Sequence, residues 1–167
     1  MWKSIIQINH QRSITNVPLS QLSQWCGKTV FDALEDSIHR EILEEHARSP
    51  KLKGILQDPD RQGTWVSLKT GNECTIYCKI EKNIIDDIRF SAQGSALADA
   101  CSSIMCCEVK GMNILDAQSL AMKVIEFVEK DEEFSLIGDL VVYKTIVRFR
   151  ERHDCSLLCW RGLVGCF

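Results

Sequence analysis

Cysteine is the residue type through which this sequence could do chemistry. There are nine: Cys26, Cys74, Cys78, Cys101, Cys106, Cys107, Cys155, Cys159 and Cys166. Thiolates are nucleophiles and soft metal ligands, so a converging set would point to zinc, iron or sulfur chemistry. No Cys-x-x-Cys pair occurs, which removes the usual structural zinc spacing. An odd number without a secretory signal argues against a disulfide framework and for a reducing compartment. Most of these thiols sit among Ile, Leu, Ala and Met, where Cys packs as a small hydrophobe.

Cys155 stands apart. It lies near the expected start of a last helix, Cys155 to Leu163, which Asp154 can cap, with Arg152 and His153 just upstream. The helix dipole and these cations favour its thiolate, and Asp154 opposes them. His153 is a candidate metal neighbour. Cys159 follows one turn later on the same helix face, so Cys155, Cys159 and Cys101 form a candidate relocated soft site. Core packing against Leu158 and Trp160 is the competing reading. His46 reads as a hydrogen-bonded structural residue rather than a ligand. Cys155 has no evident general base other than His153 and no oxyanion device, so the chain reads as a non-enzyme.

The elements that must position these residues follow from periodicity. Residues 33–48 place Leu34, Ile38 and Ile42 on one stripe, widened by Leu43 and Ala47: an amphipathic helix ended by Ser49-Pro50. Residues 57–63 are turn-rich. Three strands are expected: Thr64 to Leu68, Cys74 to Ile80 and Ile84 to Phe90. In the second, Cys74, Ile76, Cys78 and Ile80 share a face. In the third, Ile84, Ile88 and Phe90 oppose Asp87 and Arg89, with Asp86 an exception on the apolar face. Glu81-Lys82-Asn83 links the last two as a hairpin. Ser95 to Val109 reads as a helix stopped by Gly111, with Leu97, Cys101, Ile104 and Met105 inward. Asn113 can cap another running to about Lys130, with Leu120, Val124 and Val128 inward. Asp139 to Phe149 reads as helical despite β-prone content. The sum is α+β: a small antiparallel three-stranded sheet covered on one face by helices.

Length and charge bound the rest. The 167 residues, 45% of them hydrophobic, suit one compact domain over 33–167 with an amino-terminal extension over 1–32. A net charge of −3 gives no basic surface for nucleic acid, and no apolar run predicts a membrane span. The first 31 residues lack Asp and Glu and carry Lys3, Arg12 and Lys28. They resemble a weak organelle transit peptide, or read as a short adaptor arm or extra helix. A cytoplasmic protein is expected, with an organelle matrix as the alternative. The acidic run Glu129 to Glu133 reads as a solvated loop or a docking surface.

Four stretches together resemble the iron–sulfur cluster scaffolds of the SufU, IscU and NifU amino-terminal family. They are residues 38–56 (with His46, Pro50, Lys53 and Gly54), 79–100, 109–117 and 138–163 (with Phe149, Arg152, Cys155 and Trp160). The long interval from Lys110 to Cys155 resembles the SufU-type branch.

The resemblance implies three thiolates and a carboxylate at one end of the sheet, holding iron or zinc, with one cysteine accepting sulfur from a cysteine desulfurase. This sequence departs from that set. Thr70-Gly71-Asn72 stands where the family has Cys-Gly-Asp, and Ser95 follows Gly94 where the family has its second cysteine. Only Cys155 is retained, preceded by Asp154. Cys155 and Asp154 are therefore the remaining candidate metal residues. Neutral hydroxyl and amide groups are poor ligands for zinc or iron. The expectation is a scaffold-like protein of iron–sulfur cluster assembly with a degenerate site, binding a cluster or zinc weakly or with a partner's help. Expected partners are a cysteine desulfurase or other assembly proteins. The alternative is a non-catalytic module that keeps the scaffold shape to dock on the desulfurase or a larger complex.

Overall fold

The computed structural model describes residues 30–130 and 132–167. The chain divides into two units, Met1–Asp36 and Ser37–Phe167. The extension expected over 1–32 lies almost wholly outside the described residues. The elements run α1 (Val30–Arg48), β1 (Arg61–Val66), β2 (Glu73–Glu81), β3 (Ile84–Gln93), α2 (Ala96–Val109) and α3 (Ile114–Lys130). A 3-10 turn (Gly138–Val142), the single-turn α4 (Tyr143–Ile146) and α5 (Arg150–Val164) complete the chain. The fold is α+β: the strands form an antiparallel sheet in the order β1-β2-β3. No helix among the described residues is long and apolar enough to cross a membrane.

Strand alternation builds the core. Cys74, Ile76 and Cys78 of β2 and Ile85, Ile88 and Phe90 of β3 are fully buried and meet Cys101, Ile104 and Met105 of α2. The opposite face carries partly exposed Tyr77, Lys79, Arg89 and Ser91. Lys82 and Asn83 both adopt positive φ, 51° and 64°, the conformation that a two-residue hairpin turn needs. Trp160, buried at the centre, donates from Nε1 to the Tyr143 hydroxyl at 2.7 Å, and Tyr143 donates in turn to the Ser156 carbonyl at 3.0 Å. Both indole and phenol are thereby satisfied without water.

Two glycines let α5 lie directly on the sheet. A Cβ at Gly63 of β1 would stand 2.2 Å from the Gly162 carbonyl oxygen. Only hydrogen fits there, so β1 and α5 approach backbone to backbone.

The structure corrects several details. β1 begins at Arg61, so part of the expected loop is strand, while Ser67 and Leu68 belong to the following turn. In β3 the buried residue is Ile85, not Ile84. The ladder shifts between Lys79 and Ile80, pairing Ile80 with Ile85 and Lys79 with Asp87, so Asp86 bulges out to solvent and its conflict disappears. On α1, Leu34 and Ile38 are 58% and 49% exposed; the expected Ile42 and Leu43 do pack against the core, partly buried, and His39 and His46 are the buried residues beside them. Hydrogen bonds make that burial tolerable. His39 Nδ1 lies 2.8 Å from Thr145 Oγ1, and His46 bonds Ser103 and Asp139 at 2.8 and 3.2 Å. The expected helix Asp139 to Phe149 is a 3-10 turn followed by one α-turn, in keeping with its β-branched content.

The last correction touches the site. Helix α5 starts at Arg150, five residues before Cys155, and Phe149 stands at its N-cap without a side-chain bond. Asp154 is inside the helix and does not cap it. Cys155 lies in the second turn, where the dipole has faded.

Candidate functional site

One end of the sheet collects the β1–β2 turn, the start of α2 and the second turn of α5. The turn is closed by backbone: Ser67 N–H donates to the Asn72 carbonyl at 2.8 Å and Gly71 N–H to the Ser67 carbonyl at 2.9 Å. Gly71 supplies the positive φ of 73°. The Ser67 hydroxyl gathers the loop, accepting from Thr70 N–H at 2.9 Å and from the Thr70 hydroxyl at 2.9 Å. The Thr70 oxygen accepts from Asn72 N–H at 3.3 Å.

These bonds aim Asn72 at α5. Its Nδ2 donates to Cys155 Sγ at 3.1 Å. Gly94, at φ 139°, makes room: a Cβ there would fall 2.3 Å from the Asn72 side chain. Ser95 follows as the N-cap of α2, its Oγ accepting from Ala98 N–H at 3.2 Å. The structure thus gathers Asn72, Cys155 and the Gly94-Ser95 step in one place, with Thr70 folded back into its own loop.

Asp154, one residue before Cys155, turns to different partners. The Ser67 hydroxyl donates to one of its carboxylate oxygens, and Arg161 Nη1 donates to the other at 3.2 Å. Arg161 also pairs with Glu129 of α3 and lies over the Trp65 ring, 5.4 Å from its centroid. The network links β1, α3 and α5 around the site. Sequence reasoning missed both Ser67 and Arg161. The available signals were spacings: Ser67 stands three residues before Thr70, and Arg161 stands two turns after Asp154 on the same helix face.

The other candidates fall elsewhere. His153 Nε2 donates to the Val147 carbonyl at 2.8 Å. Cys101 and Cys159 are buried. Burial pushes the Cys101 thiol up to about 12, and burial likewise raises Cys159 well above the ordinary thiol range. The relocated soft site built from Cys155, Cys159 and Cys101 does not form: among the described residues no group of three or more His, Cys, Asp or Glu is arranged to hold a metal ion.

The donor set settles the fit of a resident metal. The Thr70 and Ser95 oxygens are engaged in loop and cap bonds, and Asn72 presents N–H hydrogens, not a lone pair, to Cys155. One soft donor remains where zinc or an iron–sulfur cluster takes three or four. The residues present do not fit a metal held by this chain alone.

Comparison with known proteins agrees with the architecture. The chain is 26% identical over 139 residues to the zinc-dependent sulfurtransferase SufU of Bacillus subtilis, covering 80% of this chain and 91% of that one. It is 24% identical over 128 residues to the iron–sulfur cluster assembly scaffold protein IscU of Thermotoga maritima, covering 75% and 89%. Among solved structures, a putative SUF-system scaffold from Fervidobacterium islandicum superposes with a TM-score of 0.67 at 23% identity, over 74% of this chain and 91% of that chain. The amino-terminal NifU-like protein of Brucella abortus superposes with 0.68 at 24% identity, over 80% and 93%. The model of the NifU-like N terminal domain matches residues 38–156, which contain the sheet, the turn with Thr70 and Asn72, and Cys155; this chain belongs to that family.

Proposed function

We propose that this chain acts in iron–sulfur cluster assembly as a scaffold-type protein, holding iron, a cluster or zinc only weakly or when a partner completes the site. The metal or cluster is cargo, not a resident cofactor. The reading rests on family membership and on one contact, the Asn72 amide on the Cys155 thiol. That contact keeps the site's shape while leaving one soft ligand. Cys155 is the residue through which metal or sulfur would be met, with Asp154 beside it. A cysteine desulfurase or another assembly protein is the expected partner, in the cytoplasm or an organelle matrix. One relative is named a sulfurtransferase. This chain, with a single site thiol, is proposed not to catalyse transfer unaided.

Anaerobic reconstitution with ferrous iron and sulfide tests the reading. Weak visible-range absorption that disappears in Cys155→Ala supports it, and the complete absence of absorption with and without a desulfurase present sinks it.

A second reading has its own observation. The Ser67–Asp154–Arg161–Glu129 network ties the β1–β2 turn, α3 and α5 together through protein groups, as a docking module would need. Binding to a cysteine desulfurase, unchanged by Cys155→Ala and by chelator, would favour that module over a metal-handling scaffold.

A further inference from the structure

The fold covers one edge of the sheet and leaves the other bare. Along β3, Gly54 N–H donates to the Phe90 carbonyl at 2.8 Å and Phe90 N–H to the Leu52 carbonyl at 3.2 Å. Near the start of the same strand, the Gly111 N–H and the Met112 carbonyl both bond Ile85. The sheet ends at β1, and no further strand pairs with it among the described residues. The ladder fixes which groups of β1 face outward. Ser67 N–H donates to the Asn72 carbonyl at 2.8 Å, in register with the pairs Trp65–Cys74, Gly63–Ile76 and Arg61–Cys78. Those positions bond β2, so Gln62, Thr64 and Val66 turn their N–H and C=O groups away from it. Among the described residues no backbone group from another element bonds them. The surface at this edge is apolar towards the turn: Trp65 is 42% exposed, Val66 45%, and Leu68 wholly.

We propose that the outer edge of β1 is a docking surface for an extended segment of a partner protein, apolar in its middle and flanked by Asp or Glu, which joins the sheet as a further strand. Backbone groups supply the attachment, and side chains choose the segment. No Asp or Glu occurs from Arg61 to Asn72, although the whole chain carries a net charge of −3. Arg61 stands at one end of the edge and Lys69 just past the other, both exposed. Neither forms an ion pair among the described residues, and Asp60, next to Arg61, is taken by Lys79 and by the Ile80 N–H. These cations oppose a second copy of this chain as the occupant. Antiparallel self-pairing sets the Arg61 end of one strand against the Lys69 end of the other, and like charges across a ladder repel. An acidic segment meets the opposite sign at both ends. Its middle residues alternate between Trp65 on the helix side and Thr64 and Val66 on the open side. Edge strands are commonly guarded against self-association by charged side chains. Here the guards stand at the ends and leave the pairing groups between them free. The edge is independent of the proposed metal or cluster handling, because Gln62, Thr64 and Val66 take no part in the contact between Asn72 and Cys155.

The test selects short peptides from a random display library on the full chain and measures binding of the most enriched one by fluorescence anisotropy. Enriched sequences should carry an apolar middle with flanking Asp or Glu. Adding the peptide should slow amide hydrogen exchange at Gln62, Thr64 and Val66 and leave Gly63 and Trp65 unchanged. Methylating alternate amide nitrogens of the peptide should abolish binding. Thr64→Pro removes the central outward N–H, a change that edge strands accommodate, and should weaken binding about 10-fold or more. Should Thr64→Pro misfold, the exposed double variant Arg61→Glu/Lys69→Glu still decides the matter: it should weaken binding about 10-fold at low salt and less at high salt. Enrichment without acidic residues, protection that maps away from β1, or binding that survives these substitutions overturns the proposal. A dimer seen by sedimentation and lost in Thr64→Pro would assign the edge to a second copy and overturn it as well.

Discussion

The side-chain amide of Asn72 donates to the thiol of Cys155 at 3.1 Å, joining the β1–β2 turn to α5 across 83 positions of sequence. Backbone geometry sets this meeting. Gly71 turns the loop, Gly94 clears the space beside Asn72, and Gly63 lets α5 sit against the sheet. On the proposed reading, the identities of Thr70, Asn72 and Ser95 are what separate this arrangement from a metal centre.

Restoring the donors should therefore restore binding. The variant Thr70→Cys/Asn72→Asp/Ser95→Cys is expected to carry one zinc per chain after purification, and the native sequence is expected to lose zinc on gel filtration. A complete thiolate-rich zinc site supplies on the order of 10 kcal/mol at neutral pH, so chelation should visibly lower the variant's melting temperature. Metal content by mass spectrometry, paired with melting curves with and without chelator, checks this. A folded triple variant that holds no zinc would show that the backbone is not poised for metal.

The contact between Gly63 and Gly162 gives a sharper structural prediction. At 2.2 Å from a carbonyl oxygen, a Cβ at position 63 meets rigid backbone, which cannot swing aside. Gly63→Ala should lift α5 from β1 and cost about 2–3 kcal/mol. Gly111→Ala is the contrast: nothing stands within 4 Å of its would-be Cβ, and its cost is only that of the φ of 84°. Urea midpoints of the two variants should rank in that order.

The sequence made some of this legible and left the rest dark for physical reasons. The hairpin was readable because Lys82-Asn83 is turn chemistry between two alternating strands. The bulge at Asp86 was not, since only cross-strand pairing reveals an extra residue. Hydropathy misplaced the inner face of α1 at His39, which it treats as outward, while Thr145, far away in sequence, supplies the bond that lets it be buried; His46, expected to be a hydrogen-bonded structural residue, is one, bonded to Ser103 and Asp139. The start of α5 was missed because Phe149 offers no capping side chain, so the charged stretch before Cys155 read as loop. At the candidate site, Thr70, Asn72, Ser95 and Cys155 came from resemblance. Ser67 and Arg161, whose roles are purely positional, could not come from a ligand pattern.

Acid stability should depend on Asp87. The Lys110 ammonium donates to its Oδ1 at 2.7 Å and holds the carboxyl below the usual carboxylate range. A depressed folded-state pKa adds stability above the unfolded carboxylate pKa and loses it as pH falls through the folded value. Asp87→Asn should therefore cost under about 1 kcal/mol at pH 7, the pair being partly exposed. The difference from the native protein should vanish by about pH 3 or below. Urea unfolding at pH 7 and pH 3 measures both. A difference that persists unchanged at the lower pH would exclude the ion pair as its origin.

Arg161 provides the test of how the site is held. Its guanidinium reaches Asp154 and Glu129 and stacks over Trp65, so three elements share one side chain. Arg161→Met keeps an apolar stem against Trp65 and removes both ion pairs. Asp154 would retain only the Ser67 hydroxyl, and the loss should be roughly 1–3 kcal/mol, in line with charge-assisted bonds at partly buried positions. Arg161→Lys should recover only part of it, because one ammonium cannot reproduce the planar fork that meets two carboxylates. Loosening Asp154 should also loosen its neighbour. The rate at which Cys155 reacts with a disulfide reagent should rise by about 3-fold or more in Arg161→Met, measured with the exposed Cys107 replaced by Ser so that it does not dominate the signal. A purely structural role for Arg161 would lower the melting temperature and leave that rate alone. A faster reaction in a variant that remains folded at the assay temperature places Arg161 among the residues that position Cys155.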